Sequence, residues 1–206
     1  SSVLAARALD PKPGMKVWDA CAAPGMKTHV LWEMMQQKGA LIATDVHPKR
    51  LRSAEIRGNR IGLEDVQFMV ADAITAPIDD ADRILIDAPC SSTGILRSHP
   101  SYKWRLNRST LLSIMAIQNK MLEGILGKYQ DRGGTEIVYA TCSLLPHEGE
   151  SQIDSILSKF NVELLEIPFA GSRGYPQFRC SKKALRLFPS QHDSSGFFIS
   201  RFRVTG

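Results

Sequence analysis

Short β-rich runs alternate with helical patterns from residue 15 to residue 140, which confines the chain to an α/β fold on a largely parallel sheet. Residues 15–21 (MKVWDAC) read as a first strand, followed by a helix over about 25–38 and a second strand over Ala40–Asp45 (ALIATD). A helix opening at His47-Pro48 runs to about residue 61, with Pro48 suited to its first turn. Residues 66–70 and 83–87 (RILID) predict strands three and four. An irregular stretch over 88–107 precedes a helix over about 109–129, a fifth strand over 137–140 and a helix over 146–160. Residues 162–167 and 196–204 are β-rich and should close the sheet as an antiparallel edge, with 168–186 between them reading as a loop. No repeat, linker or low-complexity tract interrupts the pattern, so residues 1–206 are expected to form one domain.

Composition narrows the classes further. A 43% hydrophobic content suits an ordinary globular core, and no run approaches the ~18 apolar residues of a membrane span. Nothing at the start resembles a secretion signal, so a cytoplasmic protein with reduced thiols and no membrane partner is expected. Residues 1–9 are already helical and apolar, which suggests a piece of a longer protein. The formal charge of +5 leans mildly toward a polyanionic partner.

In an open α/β sheet, ligands bind at the carboxyl ends of the strands. Asp45, Asp72 and Asp87 follow strands two, three and four. Strand one runs into Ala22-Ala23-Pro24-Gly25-Met26-Lys27, where small residues admit a ligand to the backbone and a helix start can receive an anionic group. Lys27 would add charge for that group, and Asp45 is placed for ribose hydroxyls. Taken singly, each Asp reads more readily as a turn or cap residue than as a ligand contact. Three in register point to an adenosyl cofactor, and NAD is disfavoured because no G-x-G-x-x-G follows strand one.

The four cysteines, at 21, 90, 142 and 180, make no CxxC pair, so neither a zinc site nor a disulfide framework is expected. Cys90 follows strand four and Cys142 follows strand five, which brings both thiols over one crevice beside the cofactor. Cys21 lies within the cofactor loop, and Cys180 has no evident role.

The strings DACAAPGMKT, DVHPKRL, DAPCSSTG, HPSYKW, VYATCSLLPHEGE and RLFPSQHDSSGFFISRF, in this order, resemble the RsmB/NOP2/Sun family of RNA cytosine-5 methyltransferases. The resemblance implies a Rossmann-like class I methyltransferase fold, with a mostly parallel seven-stranded sheet and an antiparallel edge hairpin. It implies that Cys21, Ala22, Ala23, Pro24, Gly25, Met26, Lys27, Asp45, Arg50, Asp72 and Asp87 bind S-adenosyl-L-methionine. By the same resemblance Cys142 is the nucleophile and Cys90 assists product release. The substrate would be transfer or ribosomal RNA, acted on by a monomer whose RNA-binding segments lie upstream. Met26 stands where the family usually has Gly, and His147-Glu148-Gly149-Glu150 where it often has an acidic-Asn-Glu run.

The chemistry needs a thiolate to add to cytosine C6. Asp87 would hydrogen-bond the base, and a second group near C5 would help expel the cysteine. Two acid-free stretches suit RNA. One carries Arg97, His99, Lys103, Arg105 and Arg108 with Tyr102 and Trp104. The other carries Arg173, Arg179, Lys182, Lys183 and Arg186 with Tyr175 and Phe178. His192-Asp193 is expected to form a turn. The competing readings are a methyltransferase of DNA or protein, and a non-catalytic RNA-binding scaffold.

Overall fold

The computed structural model describes residues 2–206; Ser1 and the side chains of Ser2 and Arg105 lie outside the described residues. The elements run α1 (Ser2–Leu9), β1 (Lys16–Asp19), α2 (Met26–Met34), β2 (Ala40–Asp45), α3 (Pro48–Asn59), β3 (Gln67–Val70) and β4 (Arg83–Asp87). There follow α4 (Arg108–Tyr129), β5 (Glu136–Thr141), α5 (Glu150–Leu157), β6 (Val162–Leu165), β7 (Ser172–Arg173), β8 (Leu185–Leu187), α6 (Pro189–His192) and β9 (Phe197–Val204).

The sheet order is β3-β2-β1-β4-β5-β9-β8-β7. The first five strands are parallel, and β9 runs antiparallel to β5. The far edge of β9 is shared: β8 pairs with its first half and β6 with its second. Among the described residues the sheet therefore has nine strands where seven were expected. The short strand β7 and the first two residues of β8 fall within 168–186, which the sequence reads as loop. Two- and three-residue strands are too brief to show a period.

Alternation explains the burial on both faces. In β5, Ile137 and Tyr139 enter the core under α4 and α5, while Val138 and Ala140 enter the core under α1 and α2. Trp18 of β1 is fully buried, its indole N–H donating to Thr44 Oγ1 at 2.9 Å. Asn107 caps α4 by accepting from the Thr110 N–H at 2.9 Å. Helix α2 stops at Met34, short of residue 38, where Gln36 and Gln37 adopt positive φ. The helix expected over 146–160 divides into a 3₁₀ turn (Pro146–Glu148) and α5. Among the described residues no helix is long and apolar enough to cross a membrane.

Candidate active site

The chain reverses direction across the sheet between β1 and β4, the switch point where an open α/β sheet forms its crevice. Along this rim the strand ends carry Asp72, Asp45, Asp19, Asp87 and Cys142, in spatial order. The acids and thiols expected from the sequence thus share one edge of the sheet.

After β1 the backbone turns sharply at Gly25, whose φ of 100° excludes most side chains, and a Cβ there would lie 3.2 Å from Ala54 Cβ on α3. The preceding loop is tied down from two sides. Ala23 N–H donates to Asp45 Oδ2 at 3.3 Å, while Arg50 and Arg57 donate to the carbonyls of Ala23 and Pro24. Asp45 also accepts from His47 N–H at 2.8 Å. Asp45 and Arg50 therefore brace the loop as well as border the crevice. Asp72 is exposed and accepts from Ile74 N–H, which makes it a turn residue at the rim. Met26 and Val46 expose apolar surface at the same rim.

Lys27, expected to lend positive charge to an anionic group, is engaged by Asp87. Its ammonium contacts Asp87 Oδ2 at 2.5 Å, and the side chain is largely buried in the crevice. Burial works against the charged lysine, but Asp87 and Asp19 more than offset it and hold its pKa above 10.5.

Asp19 was missed by sequence reasoning, because the first strand reads on to residue 21 and hides its last residue. The signal was present: it is the strand-end acid of β1, matching those of its neighbours. It is fully buried; Oδ2 accepts from Thr28 Oγ1 at 2.8 Å, and Oδ1 has no donor among the described residues. Burial pushes its carboxyl up to about 6. A carboxyl whose folded-state pKa lies above 3.8 stabilises the fold only while protonated, so its penalty grows from 3.8 and is complete above about 6. Asp19→Asn removes that charge. Its stability relative to the parent should rise by up to about 3 kcal/mol between about pH 4 and pH 7.5. Urea melts at the two pH values check this, and a constant difference would refute it.

Across the switch point, Cys90 Sγ and Cys142 Sγ lie 3.1 Å apart, both half-buried. The two loops that carry them are laced together. Gly94 N–H donates to Cys142 O at 2.9 Å, and Leu144 N–H to Thr93 Oγ1 at 2.9 Å. Gly94 has no room for a side chain, since a Cβ would lie 2.8 Å from Cys142 O and closer still to Gly196 O. Ser92 Oγ stands 3.6 Å from Cys142 Sγ. Hydrogen bonding from Cys90 outweighs burial and lowers the Cys142 thiol below 9.0. The same contact, with burial, raises the Cys90 thiol well above it. The opposite shifts favour Cys142 over Cys90 as the thiol of the pair that ionises first. Cys21 is driven up by burial and by nearby acids. Cys180 is fully buried in the core with its N–H on Asp154, a structural residue.

The two basic stretches differ. Arg97, Lys103 and Arg108 are exposed, as is Trp104 at 81%, with the Lys103 ammonium 4.7 Å from its ring centroid. The second stretch is partly structural. Arg186 is fully buried in an ion pair with Glu150, Lys183 donates to Leu164 O, and Phe178 packs on the core. Arg173, Arg179 and Lys182 remain at the surface. His192 ends α6, its Nδ1 accepting from Phe188 N–H, and Asp193 follows with φ 42°. Asp193 also lines a 360 Å³ cavity with Gly94, Ile95 and Arg97, beside the Cys142 loop.

A family profile described as "16S rRNA methyltransferase RsmB/F" matches residues 6–203. The chain is 32% identical over 203 residues to probable ribosomal RNA small subunit methyltransferase B of Synechocystis sp., covering 96% of this chain and 45% of that protein. It is 30% identical over 214 residues to human 28S rRNA (cytosine(4447)-C(5))-methyltransferase, covering 98% of this chain and 26% of that protein. The solved structure of NSun6 from Pyrococcus horikoshii with SFG matches with a TM-score of 0.89 at 31% identity, covering 100% of this chain and 52% of that one. The chain spans about half the length, or less, of the curated relatives it matches. With the profile running from α1 to the end of β9, across every strand of the rim described above, the chain belongs to the 16S rRNA methyltransferase RsmB/F family.

Proposed function

We propose that this chain is the catalytic domain of an S-adenosylmethionine-dependent RNA cytosine-5 methyltransferase, with Cys142 as nucleophile and Cys90 as the group that resolves its adduct. The observation that carries the reading is the pair of thiols 3.1 Å apart at the ends of β4 and β5, beside the switch point, with the Cys142 thiol lowered and the Cys90 thiol raised.

The acid-rimmed crevice fits the methyl donor. The orphaned Asp19 Oδ1 suits an amino group, the tight turn at Gly25 opens the backbone to a ligand, and Met26 and Val46 offer apolar surface to a nucleobase. Asp45 keeps acceptor capacity for ribose hydroxyls beyond its two backbone bonds. Residues 21–27, Arg50, Asp72 and Asp87 complete this border. When bound, the donor supplies a methyl group on a sulfonium centre.

Cytosine C5 is a weak nucleophile until the Cys142 thiolate adds to C6 and gives the ring enamine character. Asp87, oriented by Lys27, would hydrogen-bond the exocyclic amino group or, if protonated, N3. Once Cys142 is a thioether, the charge that holds Cys90 protonated is gone. Cys90 is then able to ionise and take the C5 proton, directly or through a water. The C5–H electrons restore the C5–C6 double bond, and the C6–S bond breaks to return Cys142 as a thiolate.

The exposed Arg97, Lys103, Trp104 and Arg108 supply phosphate and stacking contacts for an unpaired or flipped cytosine. The family profile and the Synechocystis and human relatives carry ribosomal RNA in their names, which favours ribosomal RNA over transfer RNA as the substrate. Cys90→Ala tests the division of labour. It should form a covalent adduct with unmodified 16S rRNA or tRNA transcripts that survives denaturing electrophoresis, while turnover falls. Having lost the donor to Cys142, the variant should also need a higher pH to form that adduct. Full turnover by Cys90→Ala with no adduct would remove Cys90 from the mechanism.

A further inference from the structure

One buried carboxylate joins the two cysteine loops. Glu148, in the 3₁₀ turn after β5, is fully buried. Its Oε1 accepts from Ser91 N–H at 2.8 Å and from Gln118 Nε2 on α4 at 3.1 Å. Its Oε2 accepts from the hydroxyls of Ser91 and Ser143, both at 2.5 Å. Ser91 follows Cys90 in the chain, and Ser143 follows Cys142. None of the four donors is a cation, so this charge is carried by hydrogen bonds alone. That arrangement is costly unless every bond is kept. The backbone at Glu148 is pinned as well, its carbonyl accepting from Tyr139 Oη of β5 at 2.8 Å.

We propose that Glu148 is the positioning residue of the thiol pair: by gripping Ser91 and Ser143 at once it sets the approach of Cys90 to Cys142. The proposal rests on the assignment of both cysteines to the reaction. A carboxylate suits the task because four donors converge on it, whereas the thiols are joined only by a weak sulfur contact. A clamp on the spacing matters most at the step in which Cys90 must reach the proton at C5, because adduct formation needs Cys142 alone. Loosening the clamp should therefore slow resolution more than addition.

Glu148→Gln keeps the shape. Its oxygen can still accept from Ser91 N–H and Gln118, but its amide donates where Oε2 accepted, so both serine hydroxyls must turn round. The double variant Ser91→Ala/Ser143→Ala leaves the carboxylate and removes the same two contacts from the other side. In single-turnover assays on unmodified 16S rRNA and tRNA transcripts, both variants should accumulate covalent RNA adduct. kcat should fall by about 10- to 100-fold, with KM for RNA and the Kd for S-adenosylmethionine within about threefold of the parent. Cys90→Ala is run beside them. Adduct with Cys90→Ala but none with either clamp variant overturns the role of Glu148 alone. A fall in kcat that comes with equally slowed addition and a lowered melting temperature also overturns it, since a merely structural carboxylate would behave so. Absence of adduct in every variant, including Cys90→Ala, overturns the assignment of the cysteines together with the clamp.

Discussion

Cys142→Ala is expected to abolish methyl transfer, lowering turnover by at least about a thousandfold, with no covalent adduct at any pH. The size follows from the chemistry: without addition at C6, cytosine C5 cannot attack an electrophilic methyl group, and nothing else at the rim offers a nucleophile so placed. Cys90 is the nearest sulfur, but burial and its bond to Cys142 keep it protonated. Removing Cys142 leaves it still buried. S-adenosylmethionine affinity should stay close to that of the parent, because the loop after β1 is held by Asp45, Arg50 and Arg57. Methyl transfer from labelled donor and isothermal titration measure the two quantities. In the parent, addition should gain with pH along a limb below the ordinary thiol value of 9.0, since the Cys142 thiol is lowered. The opposite pattern, an active Cys142→Ala and a dead Cys90→Ala without adduct, would reverse the roles. It would place the nucleophile after β4, as in the DNA cytosine-5 enzymes.

The rim of strand ends is legible in the sequence because four of the five parallel strands, all but β3, end on a polar residue. Asp45 and Asp87 are the last residues of β2 and β4, and Cys90 and Cys142 follow their strands by no more than three positions. What a strand end points at is local, and so can be read. Side-chain partners are not local. Lys27 looks available to a ligand until the fold brings Asp87 beside it, 60 residues later in the chain. Arg186 sits among basic residues in sequence, yet it occupies the middle of β8, where its neighbours in space are Glu150, Tyr175 and Phe198. Charge counted along the chain assigns it to RNA; the strand pairing buries it. Glu148 is hidden for a related reason. Its four donors come from three separate stretches of chain, and only the finished sheet brings them together.

Glu150→Ala should be among the most destabilising single changes in the chain, costing about 3–5 kcal/mol. Against a total stability on the order of 5–15 kcal/mol, that loss would unfold much of the protein at moderate urea. Arg186 and Glu150 are both fully buried, and the guanidinium meets the carboxylate in a fork, Nε to Oε1 at 2.8 Å and Nη2 to Oε2 at 2.5 Å. Removing the acid strands a cation lying near the rings of Tyr175 and Phe198, which are 5.0 and 4.9 Å from its centre. It also orphans Tyr175 N–H, which donates to Glu150. Glu150→Ala/Arg186→Ala should cost less than the two single changes added, by more than about 1 kcal/mol, because the second change removes the stranded charge. Strict additivity would mean that the pair is not coupled. Arg186→Lys should not rescue, since an ammonium cannot reproduce the fork. Arg186 also donates to the carbonyls of Ser143 and Leu145, which flank the turn just after Cys142. Arg186→Lys at a temperature where it remains folded should therefore still lose methyl transfer. The ion pair that secures the last strands holds the Cys142 loop as well.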